Sequence, residues 1–210
     1  MKYKKIKRHF IKIMKTAIVD IDVSNIGHMY LNFSLLFNRF YPVVLKLQDK
    51  ECCNGIDFGC GTGGLVVLSH LMGFDMTGID IAKKGEENNE YTVITSNLNS
   101  MGFPIKIFDT LKFPWDFESN SVDAVTAFLS IREEYSSQKK NHLRWSDKKM
   151  MDRLSEISRI VKKEGIWYVG PNRHYSAMKS IWHHSSKEKQ QRMIRWSQSR
   201  KSKLLKKYPI

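Results

Sequence analysis

Cysteine is scarce in this chain, with three in 210 residues: Cys52 and Cys53 are adjacent and Cys60 lies in a glycine cluster. No pair has zinc-site spacing, and such sparing use fits a reducing compartment. Long apolar runs are also absent, and nothing approaches the ~20 residues that a membrane span needs. Lys12 and Lys15 interrupt any apolar stretch at the start, which argues against a cleaved signal and for a cytoplasmic location. Acid is nearly missing from both ends. Residues 1–15 hold seven Lys/Arg and no acid, a charge of +7. Residues 173–210 hold eleven against Glu188 alone, a charge of +10, and the stretch between carries −3 of the net +14. Two cationic arms around a near-neutral body suggest an anionic partner for the ends and a separate task for the middle. Solubility alone is the plainer reading of such arms.

What is present is enough apolar residue, 41%, for a real core, and a length that suits one α/β domain with short extensions. The expected organisation is an N-terminal basic, amphipathic helical extension over 1–50, a core over 51–172 and a basic helix or tail over 173–210. No repeat or low-complexity segment appears. Ile6, Phe10, Ile13, Met14, Ala17 and Ile18 recur at helical spacing among lysines, the pattern of a helix that lies on an anionic surface. Residues 29–47 suggest a second helix, kinked or restarted at Pro42.

From residue 55 strand-like and helix-like pieces alternate. Strands are expected at Ile56–Phe58, Met76–Asp80, Ile105–Phe108, Val122–Leu129 and Ile166–Val169. Helices are expected at Thr62–Met72, ended by Gly73, at 82–101 with a weak start near Gly85, and from Ser146 as N-cap through Lys163, ended by Gly165. This alternation predicts a doubly wound, Rossmann-like, mostly parallel sheet with helices on both faces. Residues 173–210 offer no convincing strand pair, so the sheet is expected to be shortened at its sixth and seventh strands. Ligands in such sheets bind at the carboxyl ends of the strands.

The sharpest feature is Asp57-Phe58-Gly59-Cys60-Gly61-Thr62-Gly63-Gly64, which follows a strand and opens a helix. Asp80 ends the next strand, 23 residues after Asp57, where a carboxylate can accept both hydroxyls of a ribose. Gly59, Gly61 and Gly64 also satisfy the dinucleotide pattern G-x-G-x-x-G. Asp57 decides between the two cofactors. A carboxylate beside a helix N-terminus would repel a pyrophosphate but suits a cationic ligand. S-adenosylmethionine carries an ammonium and a sulfonium and no phosphate.

The loop resembles the first motif, Asp-x-Gly-x-Gly-x-Gly, of the class I S-adenosylmethionine-dependent methyltransferases. Phe108-Asp109-Thr110 is similar to the segment where their acid meets the adenine amino group. Glu118–Val125 resembles the family's turn into its fourth strand, and Leu154–Gly165 the helix and turn before its fifth. The resemblance covers residues 55–170 and implies a role for each matched position. Asp57 would hold the amino group, and Gly59, Cys60, Gly61 and Gly63 would line the methionine portion. Asp80, with Ile81 beside it, would bind ribose. Asp109 and Thr110 would meet the adenine edge, and Phe128 would lie near the sulfonium, or else in the core. Asp123 reads as a turn residue.

The acceptor side is less legible. Arg132, Glu133, Glu134, Tyr135 and His142 follow the fourth strand, and Asn172, Arg173, His174 and Tyr175 follow the fifth. His174 is the first candidate general base, with Glu133 and His142 behind it; a solvated loop histidine is the alternative. The chain reads Phe128-Leu129-Ser130-Ile131 where amino-methylating families carry Asn/Asp-Pro-Pro-Tyr, so that chemistry is not supported. His183 and His184 read as surface residues of the tail. Asn25, His28 and Tyr30 could cover the cofactor. No metal cluster is visible. The leading expectation is an enzyme acting on a small-molecule acceptor or a membrane-linked lipid or glycan, with peripheral contact to anionic membrane. The alternatives are an RNA-directed methyltransferase whose Trp182, Trp196 and Tyr208 stack bases, or a non-catalytic module that binds S-adenosylmethionine. The stacking residues would fit a helix docked on the core equally well.

Overall fold

The structure, a computed structural model, describes residues 3–24, 26, 31–81, 90–108, 112–127, 148–169 and 181–184. The chain divides into two compact units, residues 1–109 and 110–210. The first unit contains α1 (Tyr3–Ala17), α2 (Phe33–Asp49), β1 (Asn54–Phe58), α3 (Gly64–Leu71), β2 (Asp75–Ile81), α4 (Glu90–Ser100) and β3 (Ile105–Phe108). The second contains β4 (Val122–Ala127), α5 (Lys148–Ile160), β5 (Val161–Val169) and β6 (Ile181–His184). Strands run β3-β2-β1 in the first unit, all parallel, and β4-β5-β6 in the second. There β4 and β5 are parallel and β6 is antiparallel to β5. This is the doubly wound, Rossmann-like α/β class.

In β1 every residue after Asn54 is buried, as parallel strands covered on both faces require. The turn of α3 through Met72 ends at Gly73, whose φ of 81° is the left-handed close of a helix. The Gly73 amide donates to the His70 carbonyl and the Phe74 amide to that of Ser69, so the orphan carbonyls of the last turn are used.

The expected amphipathic helix is in place as α1, but its apolar stripe faces protein. Ile6, Phe10, Ile13, Met14 and Ala17 are all buried within the first unit. Phe10 packs on Phe37 of α2 with ring centroids 5.6 Å apart, and the Asn97 side-chain amide of α4 donates to the Ala17 carbonyl at 3.0 Å. Burying Ile6, Phe10, Ile13 and Met14 contributes roughly 6–12 kcal/mol gross, at ~1.5–3 kcal/mol per side chain. That is comparable to the whole stability of a typical domain. This apolar face is therefore not available to a bilayer.

Four expectations need correction. α2 runs through Pro42 as a single helix and does not restart there. Pro42 is exposed, so water can satisfy the carbonyl that its missing amide leaves behind. β5 starts at Val161, directly after α5, and Lys162-Lys163-Glu164 belong to the strand rather than to the helix. The register between β4 and β5 shifts between Val122 and Ala124, so the extra residues bulge outward where Lys162, Lys163 and Glu164 are exposed. Gly165 is thus a strand glycine: a Cβ there would lie 2.8 Å from the Asp123 carbonyl oxygen. Asp123 is a β4 residue and not a turn, and its carboxylate takes the Lys162 ammonium at 2.6 Å. Finally, 181–184 is not tail but the sixth strand, with Trp182 opposite Tyr168, His183 opposite Trp167 and His184 opposite Ile166. Its Ile-Trp-His-His text has the β-branched and aromatic character of a strand, which the surrounding cations obscure.

Candidate cofactor site

The glycine loop joins β1 to α3 in the first unit. Gly59, Gly61 and Gly63 all have positive φ, at 71°, 54° and 72°. Gly63 shows why only glycine serves. It is the left-handed N-cap of α3, and a Cβ there would lie 2.6 Å from Ile105 Cδ1 and 2.7 Å from Leu98 Cδ1. The loop is pinned to β2 by its own amides. Gly59 N–H and Cys60 N–H both donate to the Ile79 carbonyl, at 2.8 and 3.2 Å, and Gly63 N–H to the Cys60 carbonyl at 2.9 Å.

Asp80 completes the arrangement. Its Oδ2 accepts the Gly61 amide at 2.6 Å, so the carboxylate at the end of β2 is held against the loop. Asp57, at the end of β1, is only 3% exposed, and Thr62 is equally buried. Burial first, then the charges of Asp80 and Asp57, push the Cys60 thiol well above its ordinary value. Burial and the two neighbouring carboxylates thus disfavour the thiolate at this position.

Among the expected residues, the structure brings Asp57, Gly59, Cys60, Gly61, Gly63 and Asp80 together. The Cys60 side chain is buried against β2, which leaves only its backbone to face a ligand. Ile81 is the last residue of β2, paired with Phe108. Asp109, Thr110, Phe128, Arg132, Glu133, Glu134, Tyr135, His142, Asn172, Arg173, His174 and Tyr175 lie outside the described residues, as do Asn25, His28, Tyr30, Trp196 and Tyr208.

Two supporting features are not evident from the sequence alone. Gly78, in the middle of β2, sits under the loop: a Cβ there would lie 2.9 Å from both Cys60 Sγ and Val66 Cγ2. A glycine two residues before the strand-end aspartate was the available signal. Gly64, the first residue of α3, is crowded from behind by Phe40 of α2, 3.1 Å from the position of a Cβ, and by Phe10 of α1 at 3.7 Å. The first two helices thus back the helix that carries the loop.

In the second unit a charged clasp holds the turn into β4. Glu156 Oε1 accepts the Trp115 amide at 2.7 Å, and Arg159 binds Glu156, the Trp115 and Phe117 carbonyls and the Ser119 hydroxyl. Burial pushes the Glu156 carboxyl up, but the Arg159 and Trp115 hydrogen bonds and the Arg159 charge outweigh it and leave the group below the usual glutamate value. Ser119, Glu156 and Arg159 lie in the segments that resemble the turns around the family's fourth and fifth strands; what they supply here is a bracket.

A family model described as a methyltransferase domain matches residues 56–169. Solved structures of similar fold include the plantazolicin methyltransferase BpumL in complex with SAH, 17% identical, covering 80% of this chain and 60% of that one at a TM-score of 0.46. Another is SAM-bound CalS10, an amino pentose methyltransferase from Micromonospora echinaspora, 15% identical, with 64% and 50% covered and a TM-score of 0.42. A third is the [4+2]-cyclase SpnF, 16% identical, with 77% and 56% covered and a TM-score of 0.46. The chain spans about half the length of the solved structures it matches. A search of curated proteins returns no match.

Proposed function

The chain belongs to the methyltransferase-domain family, and from that premise we propose that it binds S-adenosylmethionine in the glycine loop and transfers the methyl group to a small-molecule acceptor. The observation that carries the cofactor reading is the Gly61–Asp80 contact beside buried Asp57. A pyrophosphate would need the loop's amides and would meet two carboxylates. Here the Gly61 amide is already given to a carboxylate, and the charges of Asp57 and Asp80 favour a cation.

In this reading Asp57 holds the ammonium, and the backbone of Gly59, Cys60, Gly61 and Gly63 lines the methionine portion. Asp80 and Ile81 take the ribose, Asp109 and Thr110 the adenine edge, and Phe128 the neighbourhood of the sulfonium. Bound, the cofactor supplies a methyl carbon already activated by its sulfonium. The protein's part is then mainly positioning, which can remove roughly 7–11 kcal/mol of barrier. A base is needed only for an acceptor that must lose a proton. His174 is proposed for that role, with Glu133 and His142 as successors. His174→Ala should lower turnover on a hydroxyl acceptor by about 10²–10⁴ and leave cofactor affinity unchanged. A membrane-linked acceptor has no support from α1, because the apolar face that would insert is buried.

Calorimetry of the full chain with S-adenosylmethionine and, separately, with NADH tests the reading. Saturable binding of the first and none of the second is expected. Tight NADH binding without S-adenosylmethionine binding would sink it.

A further inference from the structure

α1 has two faces, and only one is spent on the fold. Of its cations, Lys7 is engaged: its ammonium donates to Asn38 Oδ1 at 3.0 Å and lies 5.7 Å from the centre of the Phe37 ring. Lys5, Arg8, His9 and Lys12 line an open cavity of about 530 Å³, and Arg8 Nε also donates to the Lys4 carbonyl of the same helix at 3.4 Å. All four are exposed. Ile13 of α1 and Met101, just past α4, also line it, and among the described residues none that does so is acidic.

From this geometry we propose that the exposed face of α1 is a binding site for the phosphate backbone of a single-stranded nucleic acid. Lys5, Arg8 and Lys12 stand on successive turns, so their Cα atoms rise by about 5 Å from one to the next. They present a row of positive charge rather than one point. Arg8 can grip a phosphate through two parallel N–H donors, and the lysines act as point charges beside it. Met101, 40% exposed at the edge of the cavity, gives the apolar face of a base a surface to lie on. An anionic bilayer is the weaker occupant. A helix that binds a membrane buries its apolar face in the lipid, and here that face is already buried in protein. The inference is independent of methyl transfer, because binding is read without cofactor.

The test uses the full chain and a fluorescein-labelled ~20-nucleotide oligouridylate, followed by anisotropy across a salt series. Lys5→Glu/Arg8→Glu/Lys12→Glu is compared with Lys50→Glu/Lys112→Glu/Lys163→Glu, which makes the same change in net charge at other exposed positions. The α1 variant should bind at least roughly tenfold more weakly near 0.1 M salt, and the log–log salt slope should fall in magnitude by about 2, at ~0.7 for each phosphate no longer neutralised. The matched variant should stay within about threefold of the unsubstituted chain. Lys5→Gln/Arg8→Gln/Lys12→Gln replaces the first variant if melting shows that it does not fold. The proposal is overturned if both triple variants weaken alike, which would reduce the effect to net charge, or if the α1 variant binds normally. Sedimentation of the intact chain with phosphatidylserine vesicles but no binding of the oligonucleotide would overturn it in favour of a membrane surface.

Discussion

The turn from β1 into α3 and the turn into β4 are both built around a carboxylate, and they use it differently. At the first, Asp80 accepts the Gly61 amide of a loop of small residues, and its charge, with that of Asp57, helps push the Cys60 thiol up. At the second, Glu156 is clasped by Arg159, which also gathers the Trp115 and Phe117 carbonyls. A carboxylate tied to a guanidinium that reaches four partners serves as a bracket. A carboxylate set against a loop of bare main chain can contribute its charge to a ligand. Two carboxylates that look alike in the sequence thus have different partners in the fold.

Breaking the bracket should produce the largest effect on stability. Arg159→Ala leaves Glu156, 7% exposed, with only the Trp115 amide, and should cost about 3 kcal/mol in chemical denaturation. Cofactor affinity measured below the melting range should not change. If Arg159→Ala weakens cofactor binding without destabilising the chain, the two turns do not differ as described.

Crowding the loop comes next. Gly78→Ala forces Cys60 and Val66 to move and should cost about 1–3 kcal/mol as an overpacked site. Cofactor affinity should fall along with stability, because the pinned loop shifts against Asp80. Adding Cys60→Ala should restore part of both. A double variant no better than Gly78→Ala would mean that the thiol is not the obstacle.

The bracket should also sense acid. Glu156 has a lowered folded value, so its contribution is fully present above the ordinary glutamate value of about 4.5 and is lost as pH falls through the folded one. Stability against pH below about 5 should therefore fall less steeply for Glu156→Gln than for the unsubstituted chain. Parallel curves would remove the charge from the account.

Much of this was legible because it rests on local periodicity. β1 to β4 fall where apolar runs and turn residues put them, and the loop from Asp57 to Gly64 announces itself through glycine. What was not legible depends on partners distant in the chain. Amphipathicity shows that one face of α1 is covered, but not whether protein or lipid covers it. Helix α5 passes into β5 with no loop between, so Lys162-Lys163-Glu164 continue a helical pattern while the strand has already begun. Gly78 looks like an ordinary weak point in a strand until Cys60 is seen above it.

The smallest expected effect is chemical. Exposed Cys53 should alkylate readily at pH 8, half-buried Cys52 more slowly and Cys60 not at all, since its thiol is buried and held neutral. Protection of Cys60 that disappears in Gly78→Ala would link the thiol directly to the loop's packing.

The central claim is that Asp80 is held for a ligand and not for the fold. Its most direct test is calorimetric titration of S-adenosylhomocysteine into the unsubstituted chain and into Asp80→Ala, with melting temperatures recorded for both. The account predicts a loss of charge-assisted hydrogen bonds worth ~1.5–3 kcal/mol, or roughly 10- to 150-fold in affinity, with little change in melting temperature. Equal affinity for the two proteins, or a large fall in melting temperature at unchanged affinity, would contradict it.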